Sequence, residues 1–134
     1  MKQYVVPDAS VLVALLLDSG SSGQWSAETL NGADLIAPSL AIFETANIIR
    51  RHALTGQVSH DQATQAHADL LDMAIEIWPY DVLAKRAWEL RHNISIYDAS
   101  YVAVAELTGA TLVTLDQRLS VAPGPCCTIT VPGS

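Results

Sequence analysis

Short apolar runs alternate with longer stretches of helical periodicity along this chain. The short runs are rich in β-branched and aromatic residues and end at proline or at a polar turn, which is typical of buried strands. The last of them follows a segment rich in Pro and Gly and has the weakest pattern. The predicted strands lie at 4–6, 34–38, 75–78, 111–115 and 126–131.

The stretches between the strands carry apolar residues at helical spacing, together with residues that begin and end helices. The tripeptide Asp-Ala-Ser begins two of these helices, at Asp8 and at Asp98, and the second is predicted to run to Gly109. Residues 18–24 are predicted to form a loop. The other predicted helices lie at 25–32, 39–56, 59–74 and 81–92.

This alternation predicts the fold class. Strands separated by helices pair in parallel through helical crossovers, and helices then cover both faces of the sheet. We therefore expect an α/β fold with three α/β/α layers around a mainly parallel central sheet of four to five strands. No linker or repeat divides the sequence, and its length suffices for one core, so residues 1–134 are predicted to form a single domain.

Composition limits the classes of function. The formal net charge is −7, which argues against a protein that holds nucleic acid by its overall charge but allows a local basic rim. The two cysteines, Cys126 and Cys127, are adjacent, which suits neither a zinc site nor a disulfide and fits a reducing cytosol. No apolar run approaches the roughly 20 residues that span a bilayer, so a cytoplasmic protein without membrane contact is expected.

Four carboxylates occupy places where a parallel sheet forms ligand sites. Asp8 and Asp116 each follow a predicted strand, and the carboxyl ends of parallel strands can converge at one edge of the sheet. Asp98 begins a helix whose next apolar residues, from Tyr101 onward, should face inward. An ionised glutamate on an inward face costs several kcal/mol unless it is paired or bound to a cation. Glu44 is predicted to share such a face with Leu40, Phe43, Asn47 and Ile48.

Each acid also has an ordinary structural explanation. Asp8 and Asp98 could cap their helices, Asp116 could be a turn residue, and Glu44 could extend to solvent from a helix margin. Their coincidence favours a shared function, because no Lys or Arg is obviously placed to neutralise them. Carboxylate oxygens are the ligands that Mg²⁺ and Mn²⁺ prefer, so a site for one of these ions is predicted.

Three segments together carry a resemblance to a known family: VVPDASVLVALL, PSLAIFETANIIRR and SIYDASYVAVAELTGATLVTLDQRL. In order and spacing they resemble the PIN-domain nucleases, and most of all the VapC-type toxins of bacterial toxin–antitoxin pairs. Leu119 departs from the pattern, since many members have an aromatic residue there, and 120–134 match only loosely. The resemblance implies a PIN-like nuclease domain whose catalytic residues and metal ligands are Asp8, Glu44, Asp98 and Asp116.

The resemblance further implies that Thr114 supports the site with its hydroxyl. Ser10 could hydrogen-bond the acids or cap its helix, and the sequence leaves both roles open. Arg50 and Arg118 could contact RNA phosphates at the rim of the site, and a solvated surface position is equally open for each.

The implied function is that of an endoribonuclease, dependent on Mg²⁺ or Mn²⁺, that hydrolyses RNA phosphodiester bonds as the toxin of a type II toxin–antitoxin system. Ions held by carboxylates activate water and stabilise the leaving oxygen, so no His, Cys or Ser nucleophile is required. The implied partners are RNA, a second copy in a homodimer, and a small antitoxin with a basic segment. Residues 9–17 form a helix that is apolar nearly all round, so part of it, near Trp25, is expected to face a partner.

Two other functions are alternatives for a sequence of this pattern. A receiver-like signalling domain also binds Mg²⁺ through acids on a parallel sheet. Proteins that resemble such a domain carry paired acids after the first strand, whereas Asp8 has no acidic neighbour here. A catalytically inactive PIN-fold binding module is the second alternative. The presence of all four acids argues against it.

Overall fold

The computed structural model describes residues 3–133 of the chain. The ends of the predicted domain 1–134 lie outside the described residues. That the chain forms a single domain stays a prediction. The strands are β1 Tyr4–Pro7, β2 Asp34–Pro38, β3 Ile75–Trp78, β4 Thr111–Val113 and β5 Ile129–Thr130. The helices are α1 Ala9–Leu17, α2 Ser21–Leu30, α3 Leu40–Leu54, α4 His60–Asp72, α5 Tyr80–Glu89, α6 Ile96–Thr108 and α7 Gln117–Ser120.

The sheet has five parallel strands in the order β3-β2-β1-β4-β5. The chain winds outward from β1 to β3 on one side and returns to place β4 and β5 on the other. The register pairs Val6 with Leu112 and Pro7 with Val113, which sets the carboxyl ends of β1 and β4 side by side. In open parallel sheets this reversal point is where ligands bind. The predicted parallel α/β architecture is confirmed.

Apolar side chains cover both faces of the sheet, as strand geometry requires. Val6 of β1 belongs to the larger core, which includes residues of α5 and α6, whereas its neighbour Val5 packs with α1 and α2. The same alternation holds for Leu112 and Val113 of β4. Helices therefore lie on both sides of the sheet, and the predicted three-layer arrangement is confirmed.

The all-round apolar character of α1 has an explanation within the chain. Val11 and Leu12 are fully buried, and Leu15 packs in the core that α1 shares with α2. Leu16 and Leu17 are partly exposed and pack on the small core formed by α3 and α4. The expectation that α1 leaves an apolar stripe for a partner is therefore wrong for most of its surface, because three other helices cover it.

Several element boundaries differ from the predicted ones. α2 begins at Ser21, inside the predicted loop, since Gly23 lets α2 approach the end of α1 closely: a Cβ there would lie 1.7 Å from the Asp18 carbonyl oxygen. The short helix α7 was not predicted, and the last strand is reduced to Ile129–Thr130. Within residues 3–133, no helix has both the length and the apolar character needed to cross a membrane.

Candidate active site

Asp8 lies directly after β1, and its side chain is buried and hydrogen-bonded there. It caps α1, because its Oδ1 accepts the Val11 N–H at 3.2 Å, and it is 8% exposed. Burial raises the pKa of the Asp8 carboxyl, and hydrogen bonds from Ser10, Thr114 and Val11 offset only part of that effect. The N-cap explanation for Asp8 is thus correct, and it leaves the carboxylate at the reversal point of the sheet.

Two hydroxyls hold this carboxylate from opposite sides. Ser10 donates to Oδ1 and Thr114 donates to Oδ2, each at 2.5 Å. Both hydroxyls also accept backbone N–H groups of the segment after β4: Ser10 from Leu115 at 3.1 Å and Thr114 from Asp116 at 3.0 Å. The Asp8 carboxylate is therefore fixed relative to both β1 and β4, as the predicted supporting roles of Ser10 and Thr114 require.

Asp98 is half-buried in the first turn of α6. The helix begins earlier than predicted, at Ile96, and Ser95 is its cap, with the Ser95 hydroxyl accepting the Asp98 N–H at 3.1 Å. The N-cap explanation for Asp98 is therefore wrong. Burial raises the pKa of the Asp98 carboxyl, the charges of Asp116 and Asp8 raise it further, and Arg118 partly opposes them.

Glu44 reaches the same region from α3, but not on the predicted face. The buried residues of α3 are Ala41, Thr45 and Ile49, and Phe43, which was predicted to pack on the sheet, is 77% exposed. Glu44 lies at the margin of the buried face and is half-buried. Burial raises the pKa of its carboxyl, and the charges of Asp98 and Asp8 raise it further.

Asp116 caps the short helix α7, so the turn explanation holds for it as well. Its Oδ1 accepts the Arg118 N–H at 2.9 Å, and the Arg118 guanidinium lies 3.4 Å from the same oxygen. The Arg118 side chain is 93% exposed, so this contact leaves it free to move. Asp98, Asp116 and Arg118 share the lining of an open cavity of about 310 Å³.

The structure thus brings the four predicted acids into one electrostatic neighbourhood. The pKa values of Glu44 and Asp98 are each raised by two other members of the set, which identifies like-charge repulsion between them. The predicted RNA-contacting arginines differ. Arg118 borders the cavity, whereas Arg50 is exposed on α3 and makes no hydrogen bond or ion pair with the acids within the described part of the chain.

The donor set suits a hard divalent cation in its chemistry, because it offers several carboxylate oxygens of like charge and one exposed arginine. In residues 3–133, however, no three His, Cys, Asp or Glu side chains are arranged to hold a metal ion as they stand. A shared ion would therefore require the more exposed acids, Asp98 and Asp116, to turn toward the fixed Asp8.

One residue of the site was missed from the sequence. Tyr101 is 2% exposed, and its hydroxyl donates to Oε1 of Glu44 at 2.7 Å. Burial raises the pKa of this hydroxyl, and Glu44 and Asp8 raise it further, so the group remains a proton donor. The only available signal was its place three residues after Asp98 on the inward side of α6, which predicted burial and not a hydrogen bond.

Comparison with known proteins places this geometry in a family. The PIN domain family matches residues 5–125. Ribonuclease VapC9 of Mycobacterium tuberculosis is 38% identical over 128 residues, which cover 95% of this chain and 97% of the relative. The crystal structure of PAE2754 from Pyrobaculum aerophilum is 27% identical with a TM-score of 0.66, covering 96% of this chain and 83% of that one.

A more distant structure shares the fold alone. VapBC2 from Rickettsia felis, crystallised bound to a DNA fragment from its promoter, matches with a TM-score of 0.65 at 15% identity, covering 96% of this chain and 98% of that one. The family match spans most of the chain, and the α/β fold with its parallel sheet agrees with it. This chain belongs to the PIN-domain family and, within it, to the VapC ribonucleases.

Proposed function

We propose that this chain is an endoribonuclease toxin whose four carboxylates, Asp8, Glu44, Asp98 and Asp116, hold Mg²⁺ or Mn²⁺ and cut RNA phosphodiester bonds there. The observation that carries the proposal is that acids from four separate segments lie near the sheet's reversal point. Burial and the charges of Asp98 and Asp8 raise the pKa of Glu44, and burial and the charges of Asp116 and Asp8 raise the pKa of Asp98. Uncompensated carboxylates oppose folding, so their retention is best explained by a cation that binds them.

The residues would divide the work according to how firmly each is held. Asp8 is buried and fixed by Ser10 and Thr114, so it would define the centre of the site. Asp98 and Asp116 border the open cavity and can adjust to substrate. A bound divalent ion supplies water activation and charge stabilisation at the scissile phosphate.

Arg118 would contact a phosphate of the substrate beside this cavity. Its side chain is 93% exposed and its contact with Asp116 is a long one, so little holds it in place before RNA binds. The net charge of −7 means that affinity for RNA must come from such local contacts and from the metal rather than from the overall field. The same role for Arg50 has less support, because Arg50 makes no hydrogen bond or ion pair with the acids among the described residues.

Family membership supports RNA as the substrate, since the relatives that span the chain are named ribonucleases. The receiver-like alternative is not favoured, because the PIN family matches residues 5–125. An inactive binding module is not favoured either. Such a module has no need for the two hydroxyls that fix Asp8, nor for three further acids beside it.

The proposed partners follow from the charge of the site. A small antitoxin with a basic segment would place Lys or Arg among the four carboxylates and so compete with the metal and with phosphate. The negative net charge would speed its capture. A homodimer is proposed on family resemblance. Sedimentation at micromolar concentration tests it, and a stable monomer would contradict it.

A cleavage assay tests the proposed activity. The purified chain should cut unstructured and structured RNA with added Mg²⁺ or Mn²⁺ and stop when EDTA is in excess. Asp98→Asn should be inactive in the same assay, while Asp81→Asn, a change in the first turn of α5, should retain full activity. Undiminished cleavage in EDTA would contradict the metal mechanism, and absence of cleavage under every condition would contradict the ribonuclease assignment.

A further inference from the structure

Glu44 is held differently from the other three acids. Asp8 and Asp116 each cap a helix, where a backbone N–H donates to the carboxylate, and Asp98 lies in the first turn of α6. Glu44 lies inside α3, has a longer side chain, and is only half-buried. Such a side chain has several rotamers available, so a site that needs it in one place must hold it by another contact.

That contact comes from Tyr101. Its hydroxyl donates to Oε1 of Glu44 at 2.7 Å, and this is the one side-chain hydrogen bond between α3 and α6 among the described residues. Tyr101 is 2% exposed and packs in the larger core, so its ring cannot follow a moving carboxylate. The donor is therefore rigid, and the acceptor is the partner that becomes ordered.

The same helix connects this bond to another acid. Tyr101 lies three residues after Asp98, which puts both on one face of α6. Holding Glu44 on Tyr101 thus sets the position of Glu44 relative to Asp98, whose charge raises the Glu44 pKa. Oε2 of Glu44 has no hydrogen-bond partner within residues 3–133 and is left for a ligand.

We propose that Tyr101 is a positioning residue: its hydroxyl binds one oxygen of Glu44 and aims the other at the acidic site. This inference rests on the proposed metal site and adds a residue outside the predicted set. Outer hydrogen-bond partners of metal ligands commonly change metal affinity by about 10- to 100-fold when they are removed. A purely structural tyrosine would instead affect stability and leave metal affinity unchanged.

The test is Mn²⁺ binding by calorimetry, without RNA. Tyr101→Phe keeps the ring and removes the hydroxyl, and it should weaken Mn²⁺ binding by about 10-fold. Tyr80→Phe removes the same group from an exposed position on α5 and should leave binding unchanged. In a Glu44→Ala background, Tyr101→Phe should have no further effect, because the residue through which it acts is absent.

The outcomes separate this inference from the proposed function. A folded Tyr101→Phe protein with unchanged Mn²⁺ affinity, or one that loses the same factor in the Glu44→Ala background, would overturn the role of Tyr101 alone. Wild-type protein that binds no Mn²⁺ would overturn the metal site as well. If Tyr101→Phe fails to fold, the Mn²⁺ affinity of Glu44→Asp becomes the test. This variant has a shorter side chain and should bind Mn²⁺ about 10-fold more weakly, and wild-type affinity would refute the inference.

Discussion

Helix α6 carries two half-buried carboxylates whose surroundings are opposite. Glu106, near its end, accepts two hydrogen bonds from Arg86, the shorter at 2.6 Å, and one from the Cys126 N–H at 2.7 Å. Asp98, in its first turn, is affected by the charges of Asp116 and Asp8, and the exposed Arg118 is the cation that opposes them among the described residues. Glu106 is neutralised by an ion pair with Arg86, and Asp98 makes no ion pair among the described residues.

The pKa values follow this difference. Burial alone would raise the pKa of Glu106, but Arg86 and the Cys126 N–H outweigh it and the pKa is lowered. For Asp98 burial raises the pKa, and Asp116 and Asp8 act in the same direction. The comparison teaches that Glu106 stabilises the fold by tying the segment before β5 to α5 and α6, whereas like-charge repulsion at Asp98 opposes folding in the absence of a bound cation.

The largest expected effect is on catalysis. Asp8→Asn should lower the RNA cleavage rate by about 100-fold or more, since a lost metal ligand removes several kcal/mol of transition-state stabilisation. The fold should survive, because Asn caps a helix as well as Asp does. Initial cleavage rates at saturating Mg²⁺ measure the effect on activity, and urea unfolding of each protein measures the effect on stability. A variant that retains half of the activity would remove Asp8 from the site.

The next largest effect is on stability and concerns Glu106, near the end of α6. Glu106→Gln should lower the free energy of unfolding by about 1–3 kcal/mol, because Arg86 loses its charged partner. Glu89→Gln is the matched control: it touches the same arginine at 3.3 Å but is 52% exposed, so it should cost at most about 0.5 kcal/mol. Urea unfolding of the two variants measures both losses of unfolding free energy. Equal losses would show that the Glu106 contact has no special strength.

The stabilisation by Glu106 should depend on pH. Its folded-state pKa lies below the ordinary value of 4.5, so its contribution is present above pH 4.5 and is lost as the pH falls through the folded-state pKa. The difference in unfolding free energy between wild type and Glu106→Gln should therefore shrink toward zero in acid. A difference that stays constant from neutral pH to pH 3 would contradict the assigned ion pair.

The smallest expected effect is an increase in the free energy of unfolding. Asp98→Asn removes one of several like charges, so in EDTA it should raise the free energy of unfolding by a few tenths to about 1 kcal/mol. The measurement is urea unfolding of metal-free protein at neutral pH. A destabilised variant would indicate that Asp98 has a structural partner, and the contrast with Glu106 would fail.

Local sequence patterns predicted the main strands and helices of this molecule. Strand composition and helix boundary residues located β1 to β4, and the predicted helix start at Ser59 is the N-cap of α4, where Ser59 forms a capping box with Gln62. The positions of Asp8 and Asp116 after strands were sufficient to predict that both lie at one edge of the sheet, because parallel strands bring their carboxyl ends to one edge.

The remaining features depend on contacts between distant segments. The Tyr101–Glu44 hydrogen bond joins residues 57 apart, and helical periodicity gave the wrong inward face for α3 because it could not distinguish Phe43 from truly buried residues. The start of α2 depends on how closely Gly23 approaches Asp18. The partial burial of Leu16 depends on where α3 and α4 pack. These are tertiary effects that no short window of sequence contains.

The central claim is that the four acids bind a divalent ion together, and Mn²⁺-dependent stability tests it most directly. At about 100 times the dissociation constant, Mn²⁺ should raise the free energy of unfolding of the wild type by about 2.7 kcal/mol. Each of Asp8→Asn, Glu44→Gln, Asp98→Asn and Asp116→Asn should show a smaller rise at the same Mn²⁺ concentration. No rise in the wild type, or an equal rise in all five proteins, would contradict the account.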